Sequence, residues 1–428
     1  MTSASPTAPG RTLGPRLERL VRRLDLPLRL ELWDGRRIEL GSAPTVSFVL
    51  RRPRLLGMLC RGDFDALGEA YVAGDLVVEG RLQDILAVGL ALAERFQRLA
   101  PLAKLARLLP RPRRRHSRAA DARWVQHHYD VSNEFYALWL DRRMVYSCGY
   151  FESGGEDIDT AQQQKLDHIC RKLQLRPEER LLDVGCGWGG LLRFAAERYG
   201  INGVGITLSP KQYELARRGV VEDGLADRVE IRLQDYRELA GAEAFDKIVS
   251  VGMYEHVGRA NMPLYFGTLY RLLRPGGLLL NHGITTSDPA GGSMSPAGGS
   301  FIDRFVFPGG ELPHIAQVLR DISSEALEVL DVENLRPHYA ATLLRWVRRL
   351  EARCAEAIAA AGEERYRIWR IYMAGCALAF ERNWLAIYQV LAGKPDANGR
   401  LARPWTRRHQ YASDAAPALT APLDWSGL

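Results

Sequence analysis

No apolar stretch in this 428-residue chain approaches the roughly 20 consecutive residues that span a bilayer, which argues against an integral membrane protein. The opening MTSASPTAPGRTLG has no apolar centre of the kind a secretory signal needs, so the expected location is cytoplasmic. Cysteine is sparse. Cys60, Cys148, Cys170, Cys186, Cys354 and Cys376 are scattered, without a CxxC pair or regular spacing, which excludes a disulfide scaffold or zinc site and predicts reduced thiols and no metal. No internal repeat is visible. What is present is a 46% hydrophobic composition, enough for at least one large core and two or three domains. A net charge of +7 favours an anionic partner: nucleic acid, an acidic metabolite or an anionic membrane surface. Charge alone does not choose among them.

Composition changes along the chain mark five segments. Residues 1–12 are Pro, Ala, Ser and Thr with nothing to bury, and disorder is expected. Residues 13–94 read as a small α+β domain: the strand-like LRLELWDGRRIEL turns at Asp34-Gly35, TVSFVL follows, and GDFDALGEAYVAGDLVVEG holds a short helix between glycines. Residues 95–120 form a basic amphipathic linker, RFQRLAPLAKLARLLPRPRRRHSR, with leucines at helical spacing and arginines between them. It reads either as a solvated helix with an arginine-rich hinge or as an interfacial helix for anionic phospholipid headgroups. Aromatics for base stacking are missing from the run, which disfavours nucleic acid.

Residues 121–395 change to alternating strands and helices. RLLDVG, GVGITL, VEIRLQ, KIVSVG and LLLNHGI are short apolar runs suited to buried parallel strands, with helices such as LLRFAAERYG and PKQYELARRGVVEDG between them. That predicts an α/β, doubly wound Rossmann-like domain. Beyond about residue 290 a Gly/Ser-rich stretch leads into mostly helical additions, and residues 396–428 read as a loosely ordered tail.

LLDVGCGWGG (181–190) ends a predicted strand and opens a predicted helix, the place where such a sheet holds its cofactor. The pattern also fits GxGxxG, a weak pointer to a dinucleotide. Asp183 would oppose a pyrophosphate there, and no acid ends GVGITL to hold a ribose, so a cationic sulfonium cofactor fits better. Cofactor-binding candidates are Asp183, Gly185, Gly187 and Gly189 in the loop. Thr207, Ser209 and Gln212 open the next helix as neutral donors and acceptors, and Asp235 and Tyr236 follow the third strand. The alternative for the last five is turn and cap work only.

From His127 to about Ala392 the motifs converge: HHYDVSNEFYALWLD, MVYSCGYF, LLDVGCGWGG, GITLSPKQ, VGMYEHVG, FPGGELP, VENLRPHYAATLLRW and YMAGCALAFERNWLAIYQVL. Together they resemble the cyclopropane-fatty-acyl-phospholipid synthases and their mycolic acid relatives, and GEAYVAGDLVVEG resembles the extra N-terminal domain of the phospholipid-acting branch. The resemblance implies a class I methyltransferase fold, S-adenosylmethionine as cofactor, a homodimer, and an enzyme on the inner face of a membrane acting on unsaturated phospholipid acyl chains. It further implies bicarbonate as the base, held by Cys148, Glu255, His282, the backbone at Ile284, and Tyr339. Tyr146 and Ser147 match positions at the cofactor's methionine end, and His127, His128 and Tyr129 match the start of the catalytic domain.

Each assignment has a plainer alternative. Cys148 is also a plausible small core residue, and Cys376, once attractive as a nucleophile for the family, sits in an apolar helix pattern that favours core. The aromatics Trp346, Trp369, Phe380, Trp384 and Tyr388 have ordinary core spacing, with an acyl channel as the other use. Cyclopropane formation leads, with a C-methyltransferase making mid-chain methyl branches as the alternative. An N-methyltransferase or a nucleic-acid methyltransferase fits less well, since the bicarbonate motifs are intact and base-flipping motifs are not apparent.

Overall fold

A computed structural model of the chain describes residues 24–99, 132–289, 301, 305–306, 311–411 and 424–426. The expectations for residues 1–12, for the linker beyond Leu99, and for His127, His128 and Tyr129 lie outside the described residues. The chain divides into two compact units, one containing the described residues up to Leu99 and the other those from Ser132 to Ser426.

The first unit is a four-stranded sheet of order β2-β1-β3-β4, made of β1 (Leu28–Glu31), β2 (Arg37–Glu39), β3 (Val46–Leu50) and β4 (Leu76–Gly80). The Asp34-Gly35 turn is where the sequence places it: Gly35 has φ +81°, and β1 and β2 pair antiparallel. Alternate residues Leu28, Leu30, Val46, Phe48 and Leu50 face one side. Three helices, α1 (Pro53–Arg61), α2 (Phe64–Val72) and α3 (Leu82–Leu99), supply Leu55, Leu59, Leu67, Ile85, Val88 and Leu92 to the same core.

The second unit is built on a seven-stranded sheet of order β10-β11-β9-β8-β5-β6-β7. Its parallel part comprises β5 (Arg180–Val184), β6 (Asn202–Thr207), β7 (Val229–Leu233), β8 (Phe245–Val251) and β9 (Leu273–Thr286). These are the five apolar runs of the sequence. They are apolar on both faces because helices cover both. Before β5 come α4 (Asn133–Ala137) and α5 (Ile158–Lys172); α6 (Gly190–Tyr199), α7 (Pro210–Glu222), α8 (Met262–Leu272) and α9 (Ile315–Ser324) follow in turn. Two cores result, one holding Leu181, Leu192, Val249 and Leu280 and the other Leu182, Ile248, Phe266 and Leu279. Each such side chain, withdrawn from water, contributes about 1.5–3 kcal/mol.

The C-terminal additions differ from the expectation. Three helices are there, α10 (Arg336–Ala352), α11 (Cys354–Ala361) and α12 (Glu363–Glu381), but so are two strands, β10 (Glu328–Asn334) and β11 (Leu385–Gly393). β11 inserts antiparallel beside β9, from Leu385 opposite Thr286 to Gly393 opposite Leu278. LAIYQVLAG is buried at almost every position, and an apolar run without period does not reveal whether it is strand or helix. The second unit also continues past residue 395. Arg403 pairs with Glu328, Arg407 with Asp331, and the Gln410 carbonyl lies 3.0 Å from His168 Nδ1 on α5.

The turn after β8 is locked onto β9. Tyr254 lays its ring against Gly283, where an added Cβ would come within 1.6 Å of the ring, and its hydroxyl donates to the Ile284 carbonyl. Gly283→Ala therefore forces Tyr254 out of place. A loss of about 1–3 kcal/mol in urea unfolding is expected; an unchanged midpoint would contradict this contact.

Candidate active site

The carboxyl ends of β5, β6 and β8 open into a cavity whose wall is the glycine loop. Gly185 has φ +87°, and a Cβ there would meet Met253 Cγ at 2.9 Å; Gly187 has φ +54° and only open space beyond it. The backbone at Gly187 can thus lie directly against a ligand. Gly189 does other work. It caps α6 with φ +78° and faces Ala216 on α7, away from the cavity.

Asp183 closes β5 on the cavity wall at 2% exposure, and its Oδ1 has no hydrogen-bond partner among the described residues. Burial raises its pKa to about 7, with Lys165 pulling the other way. Lys165, reaching the same wall from α5, donates from Nζ to Ser147 Oγ at 2.9 Å. Burial lowers its pKa to about 8, opposed by Asp141, Cys148 and Asp183. Tyr146 and Ser147 lie beside it on the wall. Further round, Thr207 Oγ1 donates to Gln212 Oε1 at 2.7 Å, both on the wall. Ser209 is not brought to the wall: it is the N-cap of α7, accepting from the Gln212 N–H. Asp235 and Tyr236 line the far end, where Arg237 holds both Asp235 oxygens at 2.9 and 2.6 Å.

These residues fit S-adenosylmethionine. A buried carboxylate with one unpartnered oxygen would accept its ammonium, a backbone without side chain would let its tail pass, and neutral donors and acceptors suit its ribose.

A second group gathers where β8, β9 and β11 meet. Glu255, just past β8, accepts from the Ile284 N–H at 2.7 Å through Oε1, while its buried Oε2 has no partner among the described residues. Burial raises Glu255 to about 7 despite that backbone donor. Ile284 lies opposite Ile387, whose carbonyl accepts from the Leu335 N–H at 2.8 Å; the Leu335 carbonyl faces Cys148 Sγ at 3.8 Å. A chain of contacts so joins Cys148 to Glu255, and Tyr339 stands one turn into α10 from Leu335 with its ring against Phe380.

His282, two residues before Ile284, has Nδ1 3.3 Å from Gln389 Nε2 and a buried Nε2 without a partner among the described residues. With the amide donating to Nδ1, the ring proton sits on Nε2. Burial and the nearby Lys165 and Lys172 drive its pKa far down, so the ring is neutral. His282 Nε2–H, and Glu255 Oε2 when protonated, are each a buried donor of the kind that a small anion such as bicarbonate needs. The Ile284 N–H, expected as an anion contact, is engaged by Glu255.

Burial works against either thiol as a thiolate nucleophile. Burial pushes Cys148 far up, and Cys376, on α12, up to about 12. Cys376 packs in the buried face of its helix. The aromatics form a connected cluster next to the cofactor wall: Tyr146 lies 5.2 Å from Trp346 and 5.5 Å from Trp139, and Tyr136 5.0 Å from Trp188 and 5.3 Å from Trp369. Trp384 and Tyr388 are only partly buried.

Sequence reasoning missed Lys165 and the buried group of His168, Lys172 and Glu333. A signal was available. In IDTAQQQKLDHICRK, Gln162, Lys165, Ile169 and Lys172 recur at helical spacing, so polar residues occupy the buried face.

The raised pKa of Glu255 has a stability consequence. An unfolded carboxylate titrates near about 4, so between there and about 7 the folded state binds the extra proton. Stability from this group is full below the lower value and is lost as pH rises through the upper one. Glu255→Gln removes the dependence. Urea unfolding at about pH 5 and about pH 8 should show the variant gaining up to about 3 kcal/mol on the native protein across that window, whereas parallel pH profiles would contradict the burial.

The sequence model described as mycolic acid cyclopropane synthetase matches residues 116–390, and one for a domain of unknown function matches residues 17–100. A Pseudomonas putida protein named "Probable fatty acid methyltransferase" is 47% identical over 388 residues, covering 91% of this chain and 97% of its own. The cyclopropane-fatty-acyl-phospholipid synthase of Escherichia coli K12 is 39% identical over 284 residues, 65% of this chain and 71% of its own. Among solved structures, mycolic acid cyclopropane synthase CmaA1 complexed with SAH and CTAB superposes with a TM-score of 0.61 at 36% identity, covering 64% of this chain and 98% of that one. With a matching family model over more than half its length and the same doubly wound sheet, the chain belongs to the mycolic acid cyclopropane synthetase family of S-adenosylmethionine-dependent one-carbon transferases.

Proposed function

We propose that the protein closes a cyclopropane ring across a cis double bond in an unsaturated acyl chain of membrane phospholipid. The observation that carries this reading is the pair of buried, unpartnered atoms, Glu255 Oε2 and His282 Nε2, at the end of the sheet that also forms the cofactor cavity. An alkene is a weak nucleophile, and its attack leaves a carbocation that water would quench. When bound, S-adenosylmethionine supplies the electrophilic methyl group. Tyr146, Ser147, Asp183, Thr207 and Gln212 hold it, and the rings of Tyr136, Trp139, Tyr146, Trp346 and Trp369 exclude water and offer π faces to positive charge.

Ring closure then needs only the loss of one proton from the transferred carbon, whose C–H electron pair becomes the second C–C bond. Glu255 and His282 would hold a bicarbonate, which would supply the base, and a Glu255 with a pKa near neutrality would relay the proton onward. The reaction is redox-neutral. A saturated methyl branch would require a hydride as well.

That second reading is favoured by the names of relatives that align along most of their length: the Pseudomonas putida protein, over 97% of it, and a Mycobacterium tuberculosis protein, over 94%, are each named a probable fatty acid methyltransferase. The net charge of +7 and the basic run at residues 95–118 support docking on anionic headgroups. No helix among the described residues is long and apolar enough to cross a membrane.

The purified protein, given S-adenosylmethionine, bicarbonate and anionic liposomes of cis-monounsaturated phospholipid, should add the mass of one methylene group per acyl chain without a reductant. Product NMR should show ring protons, and Glu255→Gln should lower kcat by about 100-fold or more. A methylene-bearing chain without ring protons, which an added hydride donor would reduce to a methyl branch, would move the function to the second reading, and an unmodified lipid with or without that donor would sink both.

A further inference from the structure

Lys165 is a cation placed inside the protein at 1% exposure, on a helix whose other inward positions include Ala161, Leu166 and Ile169. Burying an ammonium is costly, and an apolar residue of similar length would serve packing better. Its surroundings explain how it is tolerated. Asp141, itself buried and accepting from the Val145 and Arg143 N–H groups at 2.7 and 2.9 Å, and Asp183 are both near enough for their charges to favour the ammonium. They do not explain why the ammonium is aimed at the cavity wall, where it donates to Ser147 Oγ at 2.9 Å.

The direction of that bond matters. Ser147 Oγ accepts from Lys165, which leaves the Ser147 hydroxyl hydrogen to be donated elsewhere, and Ser147 lines the cavity. The same wall carries Asp183 Oδ1, a buried acceptor with no partner among the described residues. A positive and a negative group side by side, each with unused hydrogen-bonding capacity, complement a zwitterion. The free amino-acid end of S-adenosylmethionine is one.

We propose that Lys165 is the specificity residue for the cofactor's methionyl tail: its ammonium and the Ser147 hydroxyl it orients recognise the α-carboxylate, while Asp183 takes the α-ammonium. This rests on the assignment of S-adenosylmethionine to the cavity. Lys165 thus distinguishes nucleosides that carry the amino-acid tail from those that have lost it. A merely structural counter-ion to Asp141 would make no such distinction.

The test is calorimetric binding of two nucleosides, S-adenosylhomocysteine and methylthioadenosine, which share the adenosine thioether but differ in the tail. Lys165→Met should weaken S-adenosylhomocysteine about 30-fold and change methylthioadenosine by less than about 2-fold. Retained methylthioadenosine binding shows that the variant is folded. Should it not fold, Ser147→Ala carries the same comparison and should show the same selective loss. Equal weakening of both nucleosides, or of neither, overturns the proposal. If the unsubstituted protein binds neither nucleoside, the cofactor assignment itself falls and takes this inference with it.

Discussion

Two carboxylates withdrawn from water at the ends of adjacent strands set the character of this site. Asp183 closes β5 and Glu255 follows β8, and β5 and β8 pair directly, with Asp183 opposite Val249. Desolvation brings both to a pKa of about 7, and nothing but an unpartnered oxygen and the surrounding apolar packing is needed to do it. A dry pocket is also what a carbocation requires. One physical condition, exclusion of water, thus tunes the acids and meets the need of the reaction proposed above. Lys165, brought down to about 8 by the same burial, keeps the local charge near balance.

Glu333, half-buried rather than fully so, shows what pairing does to a carboxylate partly withdrawn from water. It faces His168 Nε2 at 2.8 Å and the Lys172 ammonium, and these bring its pKa down to about 2 although burial alone would raise it. Glu333, Gln389 and His282 stand in register across β10, β11 and β9. The paired carboxylate is structural: it fastens α5 to the sheet's edge, with the Gln410 carbonyl closing over His168. Asp183 and Glu255 each keep one buried oxygen without a partner among the described residues. The antiparallel insertion of β11 covers β9 along nine residue pairs and carries Gln389 to His282.

Much of this was legible in the sequence, for identifiable reasons. Parallel strands buried on both faces read as uninterrupted apolar runs, so β5 to β9 and the glycine loop were placed correctly, and Gly185 and Gly187 have the positive φ that a tight loop demands. β11 was not legible as a strand, because LAIYQVLAG has no period to separate it from a buried helix. Ser209 and Gly189 were read as ligand contacts but are caps, a distinction that depends on which way α6 and α7 start. Lys165 escaped notice because a lysine in a helix reads as solvated until the buried face is known. The contact between Glu255 and the Ile284 N–H joins positions 29 apart, and only the folding of β8 beside β9 brings them together.

The most direct measurement of the dry-site account is infrared difference titration of the carboxyl C=O stretch, comparing the native protein with Asp183→Asn and Glu255→Gln. Two protonated carboxyl bands that survive well above the usual carboxylate range, fade near about pH 7 and are each missing from one variant are what the account predicts. Native-protein bands that vanish together near about pH 4 would mean that both groups are solvated, and would contradict it.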